Sequence, residues 1–138
     1  MNTQGVVQQR DLNEISHQII GAAMKVHSAL GPGFLESVYQ NALIWELRKA
    51  GLKAEAGRAI SVRYDGQIVG VFTADLLVND CLVIELKATQ SLGKAHEVQV
   101  MNYLVATGID ESLLLNFGAE RLEYKKKFRF PKQEQVSF

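Results

Sequence analysis

The sequence predicts an α/β fold of the α+β kind, a mixed sheet of about five strands flanked by helices in the order α-α-β-β-β-α-β-β. Three observations carry that expectation. Two segments of helical period open the chain; the period then drops to two across a strong hairpin signal; one further helical segment interrupts the strands without setting up a strict β-α alternation.

From Asp11 to Leu30, the residues Ile15, Ile19, Ala22, Ala23, Val26 and Leu30 recur at three- and four-residue spacing, the mark of an amphipathic helix. The run LGPGF ends it, with Gly31 just past the last turn and Pro32 behind it, and Gly31 and Gly33 are read as serving this tight turn. A second helix is expected from about Leu35 to Ala50, with Val38, Ala42, Leu43 and Leu47 inward and Gly51 closing it. Residues 59 to 64 and 67 to 78 then flank Asp65-Gly66, a pair suited to a two-residue hairpin turn. A third strand is placed at 81 to 88, a third helix at 94 to 106, and further strands at 112 to 118 and 121 to 130.

At 138 residues, with 47% hydrophobic and 22% charged side chains, the chain can bury a core as one domain over 1–138. Its ends, about 1–10 and about 131–138, are expected to be a flexible start and a polar tail. Fifteen basic and fifteen acidic residues cancel, which argues against a protein that coats nucleic acid through bulk positive charge and leaves a local patch or a metal as the means of meeting it. The single cysteine, Cys81, cannot close an internal disulfide or build a zinc site and is read as a small buried hydrophobe. No apolar run reaches the length of a membrane span, so no membrane partner and a cytoplasmic location are expected.

One stretch conflicts with this ordinary picture. FTADLLVNDCLVIELKA, residues 72 to 88, reads as the middle of a buried sheet yet holds Asp75, Glu85 and Lys87. An uncompensated buried carboxylate costs several kcal/mol. Phe72, Ala74, Leu76 and Val78 in one strand and Leu82, Ile84, Leu86 and Ala88 in the next would form an apolar face, with the three charged residues on the other. A two-residue turn at Asn79-Asp80 would pair Asp75 with Ile84 and break that match, so an odd-length turn or a bulge is expected, bringing Asp75 opposite or nearly opposite Glu85. Two carboxylates that close repel, and a divalent cation between them is a natural remedy; the competing reading is an Asp-Lys or Glu-Lys pair that satisfies itself.

Asp75 followed by Glu85-Leu86-Lys87 resembles the signature of the PD-(D/E)XK phosphodiesterase superfamily, without the proline before the aspartate. GFLESVY, residues 33 to 39, resembles the defining motif of the GxxExxY family within it, and VHSALGPGFLESVYQNAL, ADLLV, IELKA, HEVQVMNYL and LLLNFG extend the likeness over about residues 11 to 120. The resemblance implies a restriction-endonuclease-like core and a Mg²⁺- or Mn²⁺-dependent nuclease acting on nucleic acid, DNA before RNA. It implies that Glu36, Asp75, Glu85 and the main-chain carbonyl of Leu86 hold metal, and that Lys87 orients the attacking water or stabilises the transition state. Gln99 and Tyr103 resemble a Q-x-x-x-Y motif in which the glutamine binds substrate or arranges the site, and Tyr39 is read as packing or orienting.

Hard oxygen donors suit Mg²⁺ or Mn²⁺ and disfavour zinc. Lys87 stands two residues from Glu85 and so shares its strand face, while Gln99 and Tyr103, four apart, share a helix face that with Ala95 or His96 would wall a cleft. Each residue also has a plainer role: Glu36 opposite a helix dipole, Gln99 on a surface, His27 and His96 packed or solvated. YKKKFRF, residues 124 to 130, is read first as an edge strand kept soluble by lysine and only second as a grip on single strands. A non-catalytic nucleic-acid-binding module of the same fold, a structural domain whose polar cluster fixes register, and a homo-oligomer all stay open at this level.

Overall fold

A computed structural model describes residues 4–129, with side chains from residue 12 onward. Its elements are α1 (Gln4–Leu30), α2 (Glu36–Lys49), β1 (Ala54–Tyr64), β2 (Gln67–Val78), β3 (Leu82–Lys87), α3 (Lys94–Thr107), β4 (Glu111–Asn116) and β5 (Glu123–Phe128), in the expected order. The strands form one mixed sheet ordered β1-β2-β3-β4-β5, antiparallel except for the β3–β4 pair, which α3 connects as a crossover. Residues 1–3 and 130–138, which include the expected tail 131–138 and the last residue of the expected fifth strand, lie outside the described residues.

Two boundaries move. Helix α1 begins at Gln4 rather than Asp11; the stretch before Asp11 has no proline to stop a helix from running on toward the N-terminus. Strand β1 begins at Ala54 rather than at residue 59, because Ala54 to Ala56 pair with Val78 to Leu76 although Ala, Glu and Gly are poor strand formers. The Asp65-Gly66 turn has φ of 52° and 76°, the left-handed pair that a two-residue hairpin turn needs.

The largest apolar cluster lies between the sheet and the α1–α2 pair, where Ile19, Ala23, Val26, Leu43 and Leu47 meet Leu76, Val78, Leu82, Ile84, Leu86, Leu113 and Leu115. Tyr39, not Val38, is the inward residue of the first turns of α2: it is fully buried and stacks on Phe117 at 4.7 Å, while Val38 is exposed. On the other face, α3 covers Leu77, Val83 and Leu114 through Val100, Tyr103 and Leu104.

The expected apolar face of β2 is split. Leu76 and Val78 join the α1–α2 core, but Phe72 and Ala74 pack with Leu77, Val83 and Tyr103 on the α3 side. The change of face falls at Asp75: β1–β2 pairing runs from Ala54↔Val78 to Ala56↔Leu76 and resumes at Arg58↔Ala74, and Gly57, opposite Asp75, has φ of 64°. A left-handed glycine within a strand marks a local bend that re-aims neighbouring side chains.

Candidate active site

Strands β2 and β3 are joined by Asn79, Asp80 and Cys81, an odd-length connection whose first two residues have φ of 51° and 60°. The amide of Cys81 donates to the carbonyl of Val78, and Asn79 is tied to Lys53 through both its main chain and its Oδ1. This turn sets the register Val78↔Leu82, Leu77↔Val83, Leu76↔Ile84. Carried one step further, the same register brings Asp75 level with Glu85, as the alternation of the sequence required.

The main-chain ladder stops one step short of that level. Beyond Leu76↔Ile84, β2 leaves β3, while β3 stays paired with β4 as far as Lys87↔Asn116. The Leu86 N–H, which would have bonded to β2, instead donates to Asp75 Oδ2 at 2.8 Å. A residue's N–H and C=O point to the same edge of its strand, so the Leu86 carbonyl faces the same opening as Asp75. The Lys87 carbonyl faces the other way and accepts from the Phe117 amide at 2.9 Å.

A cavity of about 280 Å³ occupies this opening. The sheet contributes Asp75, Glu85 and Lys87, α3 contributes Gln99, Val100 and Tyr103, the β1–β2 hairpin contributes Val71 to Thr73, and Glu36 at the start of α2 reaches the same space. Ala95 and His96, expected as part of one wall, do not line this cavity; with Val98, Gln99 and Asn102 they line a second depression on α3, so that Gln99 borders both, and His96 Nδ1 accepts from the Gly93 amide at the helix start.

Glu85 is buried, at 8% exposure, and its pKa rises from 4.5 to about 8. Burial is the largest cause, followed by repulsion from and hydrogen bonding with Asp75, with Lys87 acting weakly in the opposite sense. Burial does not by itself mark the site: Glu111, at the far end of β4, is also buried and also raised, by burial, with Lys126 and Ser16 acting in the opposite sense. Lys87 forms no ion pair within 4 Å among the described residues, so the self-satisfied Asp-Lys or Glu-Lys pair is not how this cluster is balanced.

The donor set fits a hard divalent cation: two adjacent carboxylates with a main-chain carbonyl facing the same gap. Among the described residues no three His, Cys, Asp or Glu side chains converge into a ready cage, so Glu36 lines the cavity without completing a set with the pair. On α3, Gln99 Nε2 donates to the Tyr103 hydroxyl at 2.9 Å, and Tyr103 is stacked on Phe72 at 3.8 Å, which fixes both side chains against the hairpin. Among the described residues Gln99 Oε1 has no hydrogen-bond donor.

Tyr39 acts on the loop before Glu36. Its hydroxyl donates to the Gly31 carbonyl and accepts from the Phe34 amide, clamping the turn whose Gly31 and Gly33 have φ of 69° and 115°. His27 is structural, with Nε2 bonded to the Ala119 carbonyl at 2.9 Å, and Cys81 is half-buried beside the core. Strand β5 is a sheet edge, and Lys127 is held by Glu97 of α3 rather than free to grip a strand.

Sequence reasoning missed Asn116. Fully buried, it uses its whole amide: Oδ1 accepts from the Thr89 and Gly118 amides, and Nδ2 donates to the Thr89 carbonyl and to Glu123. The same Glu123 oxygen accepts from the Leu92 amide, so the segment between Lys87 and α3 is held at both ends. Gly118 presses on it so closely that a Cβ would lie 2.4 Å from Thr89 main-chain atoms. An asparagine closing an apolar strand, two residues before a glycine, was the available signal.

A family model described as the PD-(D/E)XK nuclease superfamily matches residues 13–128. The chain belongs to this superfamily. The match spans every strand and all three helices except the first turns of α1, and it includes Asp75, Glu85 and Lys87. No curated protein matches. Among solved structures, this PD-(D/E)XK chain is similar in fold to the crystal structure of SSO0001, with a TM-score of 0.50 and 17% sequence identity, over 72% of this chain and 52% of that one. The chain thus spans about half the length of that structure. Among the described residues no helix is long and apolar enough to cross a membrane.

Proposed function

We propose that the chain is a metal-dependent nuclease of the GxxExxY branch, hydrolysing phosphodiester bonds in nucleic acid, with DNA the first substrate to test. The observation that carries this reading is the placement of Asp75 beside Glu85 where β2 parts from β3, with Lys87 on the same face and paired to neither. Mg²⁺ or Mn²⁺ held there would supply positive charge against non-bridging oxygens and lower the pKa of an attacking water. Asp75 is pinned for that task by the Leu86 amide, and the Leu86 carbonyl is the third oxygen. Lys87, two residues from Glu85, points its ammonium at the same space and can orient water or stabilise the charge that builds up on the phosphorane. Gln99, braced by Tyr103, hydrogen-bonds the substrate. Glu36 contributes a carboxylate from the cavity lining, through water or on metal entry, and Tyr39 sets its approach.

The test uses end-labelled and circular single- and double-stranded DNA and RNA with Mg²⁺, Mn²⁺ or EDTA, on wild type, Glu85→Ala and Lys87→Ala. Cleavage that requires metal and falls at least about 100-fold in both variants is expected. Metal binding without cleavage of any substrate would contradict the nuclease reading and leave a binding module.

A further inference from the structure

Beyond the point where β2 leaves β3, β1 and β2 continue as a two-stranded arm from Asp75 to the Asp65-Gly66 turn. Its two faces differ. Ile60, Val62 and Phe72 turn toward Tyr103 of α3. The cross-strand pairs Ala59↔Thr73 and Ser61↔Val71 form the opposite face, which Arg63↔Ile68 continues past a register shift between Val62 and Arg63, with Val71 62% and Ile68 56% exposed. Thr73 and Val71 are also walls of the cavity that holds Asp75, Glu85 and Lys87. The face therefore begins in the candidate site and leads out of it for about 13 Å, four residues of strand.

Its chemistry suits one kind of occupant. Between residues 59 and 73 the sole acidic side chain is Asp65, in the turn, and Arg63 makes no ion pair among the described residues. Arg58, the next cation along β1, is already engaged by Glu55 and Asp80. One free guanidinium beside exposed valine and isoleucine can hold one phosphate and shelter bases, but it cannot supply the many phosphate contacts on which duplex binding depends.

We infer that this face of the arm is a track for a single nucleic-acid strand entering the Asp75–Glu85 cavity, with Arg63 on a phosphate and Val71 and Ile68 against bases. The inference rests on the nuclease reading for what happens at the end of the track, but not for binding along it.

The experiment measures anisotropy of fluorescein-labelled oligo(dT), oligo(rU) and a blunt DNA duplex with full-length Glu85→Gln protein in EDTA, at several salt concentrations. Arg63→Ala and Val71→Asp are compared on that background, after their melting temperatures are checked against it. Single strands should bind at least tenfold tighter than duplex. Arg63→Ala should flatten the slope of log K against log salt by about 0.7, one phosphate contact on a single strand, and Val71→Asp should weaken binding about tenfold. Arg63→Ala in otherwise wild-type protein, outside the cavity lining, should raise KM and leave kcat within about twofold. Equal binding by both variants, or a preference for duplex with a steep salt slope, would overturn the track. Strand binding with these variant effects but no cleavage by wild type would overturn the nuclease reading alone.

Discussion

Glu85 and Asp75 are the residues on which the site turns, and their proximity has a consequence for stability that can be measured without substrate. In metal-free protein Glu85 keeps its proton up to about pH 8, whereas in the unfolded chain it loses it near 4.5. Between those values the folded state binds more protons than the unfolded state, so stability falls as pH rises through the window and levels off above it. Chemical denaturation in EDTA should show wild type losing on the order of 3 kcal/mol from pH 5 to pH 8 through this group, a loss that Glu85→Gln removes. A flat profile shared by both proteins would mean that Glu85 is not held protonated. The sequence made this pair legible, because the parity of Asp75 and Glu85 against an apolar alternation calls for an odd-length turn or a bulge, and the structure has the odd-length turn at Asn79–Cys81. It did not make Asn116 legible: a buried amide that satisfies main-chain groups at Thr89 and Gly118 and a carboxylate at Glu123 looks, in one dimension, like any polar residue at a strand end.

At the level of elements, what opens the cavity is the parting of two strands. Helix and strand order could be read from periodicity, yet the point where β2 stops pairing with β3 could not, since pairing partners are a tertiary property and Gly57 gives only a local hint of a bend. The same limit explains why Phe72 and Ala74 were expected on the wrong side: alternation predicts faces only while the strand stays regular. On the far side of the site, the segment from Lys87 to α3 relies on Asn116 and Glu123. Asn116→Ala leaves the Thr89 amide and carbonyl and the Gly118 amide without partners, and should lower stability by about 2–4 kcal/mol in urea denaturation. If the segment also aims Gln99, kcat should fall in the folded variant while metal affinity at Asp75 and Glu85 is kept. Wild-type stability would show that solvent replaces the clamp.

Across the whole molecule, the division of labour is simple: the α1–α2 face of the sheet supplies the principal core, and the candidate site lies where β2 parts from β3, walled by α3 and reached by Glu36. Zero net charge, visible in the sequence, fits a protein that meets nucleic acid through a local site rather than a broad basic surface. What connects the scales is the claim that Asp75 and Glu85 are kept together for a divalent cation and not for each other. Calorimetric titration of Mn²⁺ into chelator-stripped protein at pH 6, 7 and 8 tests it, in buffers of different ionisation heat so that released protons are counted. One proton should be released from Glu85 as metal binds, affinity should rise close to tenfold per pH unit up to about pH 8, and Glu85→Gln should abolish the high-affinity step. Binding that is independent of pH and unchanged in Glu85→Gln, or no binding at all, would return Asp75, Glu85 and Lys87 to a structural role.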